Sequence, residues 1–209
     1  MNAVHLDSHL QHPHRWGTVA TVAIFILALN AAITGIAISQ AGARKVVATS
    51  TWTGFVSHDH IKGFSEVSSS WIVPDHPDCK GSTVVGIWAG LGGWRVTPAA
   101  DRSIIDQAGI AMSCDRLNQT ITGFTETFPD PPKPVAGLDL APGDVINVDV
   151  VRAGVHVHFE IDDVTSGTRA IFDQVEPKVR FTSAECILEA TPPKAGEDLH
   201  QVVVSFTSC

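Results

Sequence analysis

The chain of 209 residues has no tyrosine, two methionines and four cysteines, and only 17% of its residues are charged. Because 44% are hydrophobic, these shortages do not signal disorder; a chain of this size can bury a core. Basic residues are also scarce, 14 Lys+Arg against 22 Asp+Glu, for a formal charge of -8. Beyond residue 45 the 11 basic and 21 acidic side chains leave about -10, which argues against a nucleic-acid groove. No cysteine pair has C-x-x-C spacing, so neither a zinc ribbon nor a thioredoxin-like motif is expected. There is no G-x-S-x-G elbow, H-E-x-x-H helix or P-loop, which removes the usual support for serine-hydrolase, zincin and nucleotide-binding chemistry. Long helical periodicity is missing after residue 45 as well.

What is present begins with an uncharged stretch between Arg15 and Arg44, apolar from Val19 to Ile38 apart from Thr21, Asn30, Thr34 and Gly35. Its length is ambiguous, since signal-peptide cores run about 7–15 apolar residues and a membrane span needs about 20. Ala41-Gly42-Ala43 offers a small-residue cleavage site, so residues 1–45 read as one hydrophobic helix serving as a cleaved signal or a retained anchor. His5, His9, His12 and His14 precede it as a solvated tail. Cys79, Cys114, Cys186 and Cys209 all follow it and would meet an oxidising compartment, where two disulfides with three possible connectivities are expected. The protein is accordingly expected to be secreted, or anchored with its domain outside, and to touch a membrane only through this segment.

Residues 46–209 read as a single all-β domain. Alternating or β-branched runs cover Glu66–Val73, Ser82–Leu91, Thr120–Phe128, Val145–Val151, Val155–Asp162 and Gln201–Thr207, with weaker ones at Ser103–Ala111, Arg169–Val175 and Ala184–Ala190. Proline, glycine and aspartate turns separate them, as at Pro129-Asp130-Pro131-Pro132 and Ala141-Pro142-Gly143-Asp144. This spacing predicts an antiparallel β-sandwich or barrel.

Several polar residues interrupt these patterns. Gln107 breaks an apolar run, Glu126 sits between Phe124 and Phe128, and Glu189 follows Ile187-Leu188. A buried polar group needs a partner, which a functional site supplies, although an outward-facing strand position explains each one singly. Alternation places His156, His158 and Asp162 on one strand face, and His58-Asp59-His60 forms a loop cluster; either could hold a metal, but a solvated surface explains both. Gly86, Gly90, Gly92 and Gly93 suit close backbone packing in a sheet.

Taken in order, the segments resemble the glutamic peptidases, or eqolisins. Ser50-Thr51-Trp52-Thr53-Gly54-Phe55 resembles the opening S-x-N-W-A-G stretch, and Val67-Ser68-Ser69-Ser70-Trp71-Ile72-Val73-Pro74 is similar to V-S-G-x-F-x-V-P. Trp88-Ala89-Gly90-Leu91-Gly92-Gly93 resembles W-V-G-I-D-G, and Ile104-Ile105-Asp106-Gln107-Ala108-Gly109 resembles I-L-Q-x-G. Phe124-Thr125-Glu126-Thr127-Phe128-Pro129-Asp130 is similar to W-Y-E-W-Y-P-D, Pro142-Gly143-Asp144-Val145-Ile146 to the G-D-x-I turn, and Ala184-Glu185-Cys186-Ile187-Leu188-Glu189 to A-E-W-I-V-E.

The resemblance implies a concanavalin-like or jelly-roll-like sandwich of two antiparallel sheets, one of them bent into a substrate groove. It implies an acid endopeptidase acting on proteins or peptides without metal or cofactor, and a monomer. Glu189 would be the general base that takes the proton from water and later returns it to the leaving nitrogen, and Gln107 the amide that holds water and stabilises the oxyanion. Trp88 would pack in the site or touch substrate, and Glu126 would support it through a hydrogen bond. Gly92 stands where the family commonly has Asp, Cys186 replaces a Trp, and Thr125 and Thr127 replace aromatics. The family's counterpart of Leu199–Thr207 is followed by further strands, so a shortened or incomplete domain is expected. The competing expectation is a non-catalytic sandwich that binds glycans or peptides at the cell surface.

Overall fold

The computed structural model describes residues 45–48, 51–59, 61–75, 84–94, 104–115, 118–190 and 202–209, with the side chains of 114, 115 and 118 excepted. The expected N-terminal helix and its histidines lie outside these residues, as do Cys79, His60 and the side chain of Cys114.

Among the described residues twelve strands follow in chain order: β1 (Lys45–Ala48), β2 (Trp52–His58), β3 (Glu66–Ile72), β4 (Val84–Leu91), β5 (Ile105–Asp115), β6 (Asn118–Phe128), β7 (Lys133–Val135), β8 (Val145–Ala153), β9 (His156–Asp163), β10 (Thr168–Val175), β11 (Ser183–Ala190) and β12 (Phe206–Ser208). They form a seven-stranded sheet in the order β1-β2-β11-β4-β5-β6-β7 and a five-stranded sheet in the order β10-β9-β8-β3-β12. Every pairing is antiparallel and neither sheet closes, so the barrel alternative falls and the two-sheet sandwich stands.

Period-two alternation explains why these segments pair as they do. In β8 and β9 every second residue is buried: Ile146, Val148 and Val150 on one strand, Val157, Phe159 and Ile161 on the next. They meet Ile87, Leu91, Ile110 and Met112 from the seven-stranded sheet, with Trp71 and Phe181 completing the core. Each large side chain fully removed from water contributes roughly 1.5–3 kcal/mol. The intervening residues of β9, His156, His158, Glu160 and Asp162, face outward.

Two further links tie the sheets together. Cys186 of β11 is bonded to Cys209, just beyond β12, across 23 residues of sequence. Arg152 of β8 reaches Asp106 of β5 in a buried ion pair; its guanidinium also donates to the Pro177 and Gly154 carbonyls and lies 5.5 Å from the centre of the Phe181 ring. Thr127 of β6 donates to Asp106 at 2.9 Å and accepts from Gln174 of β10 at 2.5 Å. Burial pushes the Asp106 carboxyl up, opposed by Thr127 and Arg152.

Candidate active site

The residue before each core-facing position points to the opposite side of its strand. The outer face of the seven-stranded sheet therefore carries Trp88 between Ile87 and Ala89, Gln107 between Asp106 and Ala108, Glu126 between Thr125 and Thr127, and Glu189 after Leu188. Register brings these side chains together. Gln107 is directly opposite Glu126, Trp88 lies between Ile187 and Gly109, and Glu189 is opposite Gly86.

The indole of Trp88 is 1% exposed and lies along β4 over two glycines. A Cβ on Gly86 would stand 3.4 Å from its Cδ1, and one on Gly90 would stand 3.0 Å from its Cζ3. Across the pairing, a Cβ on Gly109 would fall 2.8 Å from the Trp88 Cβ. Gly109 therefore needs glycine for space and Gly90 is tight, as the close packing expected of Gly90 requires, whereas at Gly86 a Cβ would make only ordinary contacts. Held in this way, Trp88 Nε1–H donates to Glu189 Oε2 at 3.0 Å. Trp52 packs edge-on against Trp88 at 5.0 Å and stacks on Trp94 at 6.5 Å, so these indoles mainly cover one another.

On the other side of Trp88, Gln107 Nε2–H donates to Glu126 Oε2 at 2.5 Å. Gln107 is 6% exposed, and its Oε1 is buried without a hydrogen-bond partner among the described residues. Trp88, Gln107, Glu126 and Glu189 all line one cavity of about 290 Å³, whose remaining wall is mostly apolar and includes Phe124, Pro132 and Pro134. Burial pushes the Glu126 carboxyl above its ordinary value, the Gln107 bond opposes the rise, and the charge of Glu189 adds to it. The site is pinned from behind, because Asp106 and Thr127, the neighbours of Gln107 and Glu126, form the inter-sheet network, while Cys186 anchors the strand of Glu189.

The four residues expected at the site thus share one cavity. Gly92 lies outside it as a conformational requirement: its φ is +90°, and a Cβ there would sit 2.5 Å from Phe181 Cδ1 and 2.7 Å from the Ile104 carbonyl oxygen. An aspartate has no room at this position. One carboxylate was not singled out from the sequence. Glu185 is fully buried on the same face of β11, opposite Gly90, in the cross-strand row that continues to Gln107 and Glu126. Among the described residues its oxygens have no hydrogen-bond partner of good geometry, although Ser183 and the Trp94 backbone lie close. Burial pushes its carboxyl well above the ordinary value, with those two groups opposing. The signal was available: Glu185 and Glu189 are two periods apart on one strand.

Neither metal candidate gathers ligands among the described residues, His60 lying outside them. His158 Nδ1 pairs with Asp173 at 2.8 Å and Asp162 faces Arg169, so this strand face is a ladder of charges open to water. Asp59 caps its own turn by accepting from the Ile61 and Lys62 N–H groups. Among the described residues no group of three His, Cys, Asp or Glu could hold a metal.

The model of the peptidase A4 family matches residues 50–208. No curated protein matches the chain. Among solved structures, scytalido-glutamic peptidase with a transition state analog inhibitor is similar at 20% identity and a TM-score of 0.57, over 70% of this chain and 66% of that one. The same peptidase with a peptide-based transition state analog gives 19% and 0.54 over 79% and 76%. SCP-B, a member of the eqolisin family in complex with the tripeptide Ala-Ile-His, gives 18% and 0.50 over 70% and 65%. The chain therefore spans about two thirds of the length of the first and third of these proteins, and at such identities the likeness is one of fold.

Proposed function

Because the chain belongs to the peptidase A4 family, we propose that it is an acid endopeptidase hydrolysing peptide bonds with Gln107, Glu189 and an activated water. The observation that carries this reading is the single cavity lined by Trp88, Gln107, Glu126 and Glu189, in which an amide and two carboxyls converge against an apolar wall. Hydrolysis without a nucleophilic side chain needs a base for the water, a donor for the oxyanion and an acid for the leaving amine. Glu189, oriented by the Trp88 N–H, takes the proton from water. Gln107 has a second Nε2–H to offer the tetrahedral intermediate and an unpartnered Oε1 to accept from the water. A donor of this kind is worth about 2.7–4 kcal/mol in the transition state. The substrate is a protein or peptide, whose apolar side chains suit the wall of Phe124, Pro132 and Pro134.

In this reading residues 46–209 form the working domain, with a concanavalin-like or jelly-roll-like course. Residues 1–45 export it as a signal or anchor, and the Cys186–Cys209 bond suits the oxidising compartment reached. For the alternative of a non-catalytic sandwich binding glycans or peptides, Trp88 and Trp94 offer no open indole face, being buried against neighbouring indoles. Cleavage of denatured protein at pH 2–5 tests the proposal: wild type should cleave with and without chelator, and Gln107→Ala should lose at least about 100-fold. Undiminished cleavage by Gln107→Ala would remove the amide from the mechanism.

A further inference from the structure

Among the described residues the two sheets have four outer strands, and three of them are short. β1 has four residues and opens with Lys45, β7 has three that include Lys133 and Pro134, and β12 has three with a shifted register against β3. The fourth, β10, runs for eight residues in unbroken register with β9 and contains no lysine, proline or glycine. Ile171, Phe172 and Val175 on it are exposed. Outer strands are normally blunted by short length, lysine, proline or a bulge, and one that has none of these is a template for a further strand.

The ladder to β9 decides which groups β10 offers. Glu176 N–H donates to the Val155 carbonyl at 2.8 Å, so by alternation the main-chain groups of Gln174, Phe172, Ala170 and Thr168 turn toward β9. Those of Arg169, Ile171, Asp173 and Val175 turn away from the sheet. Arg169 and Asp173, of opposite charge, stand two residues on either side of Ile171. A second copy of β10, antiparallel and centred on Ile171, therefore brings Arg169 opposite Asp173 of the partner subunit twice over, with the two Ile171 side chains meeting between these pairs. On the core-facing side Ala170 falls opposite the partner's Phe172, small against large. A slip of two residues either way keeps the main-chain bonds but loses both charge pairs. Arg169 meets Glu160 at 3.2 Å and Asp173 meets His158 at 2.8 Å within the chain, yet their side chains remain 54% and 78% exposed, which leaves room for a partner.

We propose that the chain forms a two-fold dimer through β10, joining two five-stranded sheets edge to edge, in place of the monomer that the resemblance implies. The contact is isologous, so it closes on itself and leaves no exposed β10 edge to recruit a third copy. No residue of β10 lines the active-site cavity, so pairing and cleavage are separable.

The test uses the full chain in detergent at neutral pH and physiological salt, read by sedimentation velocity and native mass spectrometry. Wild type should be mostly dimer at about 100 µM. Arg169→Asp sets acid against acid at both pairs and Asp173→Arg sets base against base, so each variant alone should dimerise at least about tenfold more weakly. Mixed in equal amounts, the two variants regain both opposite-charge pairs and should form the heterodimer, which differs in mass from either homodimer. That recovery also reports that both variants are folded. A monomeric wild type, or a mixture in which the heterodimer is no stronger than the homodimers, would overturn the proposal. Dimers of undiminished strength in either single variant would overturn it too, by placing the contact elsewhere, the N-terminal segment included.

Discussion

Replacing Cys209 by Ser removes the cross-link between β11 and the segment beyond β12 while leaving Cys186 as a buried, apolar side chain. The change acts on the unfolded chain, which regains the freedom of a loop closed across 23 residues. The loop-entropy relation puts this at about 3.4 kcal/mol at 25 °C. For a domain of this size each kcal/mol lowers Tm by about 2–4 °C, so the expected fall is about 7–14 °C. Circular dichroism melts at pH 4, with reversibility checked by a second scan, measure it. Peptidase activity well below the melt should stay within about twofold, because the cross-link touches no cavity residue. A fall of less than about 2 °C would refute the reasoning by showing that the bond does not restrict the unfolded state. A large activity loss at unchanged Tm would do so differently, by showing that the bond shapes the site.

Other substitutions probe the elements that position the cavity. Arg152→Ala leaves Asp106 buried without its cation and should cost about 3–5 kcal/mol in urea unfolding at pH 7. The cost should shrink at pH 3, where burial favours the protonated Asp106. Glu185 keeps its proton in the folded state above the pH at which the unfolded chain, with an ordinary value of 4.5, releases it. The native state then binds more protons through that window, and stability falls as pH rises through it. Glu185→Gln should flatten this dependence and raise Tm at pH 7; a lower Tm at pH 7 would mean that the ionised form is stabilised. Gly92→Asp restores the carboxylate common in the family but forces a side chain at φ +90° against Phe181. It should cost at least about 1–3 kcal/mol in thermal unfolding and give no gain in cleavage.

Period-two alternation made most of the sandwich legible. The runs around Val145–Val151 and Val155–Asp162 became β8 and β9 with every second residue in the core. The failures occur where pairing, rather than pattern, decides. Gln201–Thr207 alternates well, yet pairing is confined to Phe206–Ser208 at the edge of the five-stranded sheet. Lys133–Val135 was not expected as a strand because Pro134 cannot donate to a ladder, a restriction that an edge position relieves. Trp52–His58 was visible only as a motif, since Gly54 interrupts the run of strand-forming residues, although β2 lies inside the larger sheet. Gln107, Glu126 and Glu189 stood out as polar residues within apolar runs. The network behind them did not, because Asp106 and Arg152 are 46 residues apart and meet only when the sheets stack.

Substitution of Glu189 by Gln keeps the acceptor for Trp88 Nε1–H and removes only the base. Peptide cleavage at pH 2–6, followed by mass spectrometry and paired with a melt, therefore gives the most direct measurement. Wild type is expected to cleave with an acid optimum, and Glu189→Gln to keep its Tm within about 2 °C while losing about 100-fold to 10,000-fold in kcat/KM. A folded Glu189→Gln protein that cleaves at the wild-type rate would contradict the assignment of this cavity as the site of peptide hydrolysis.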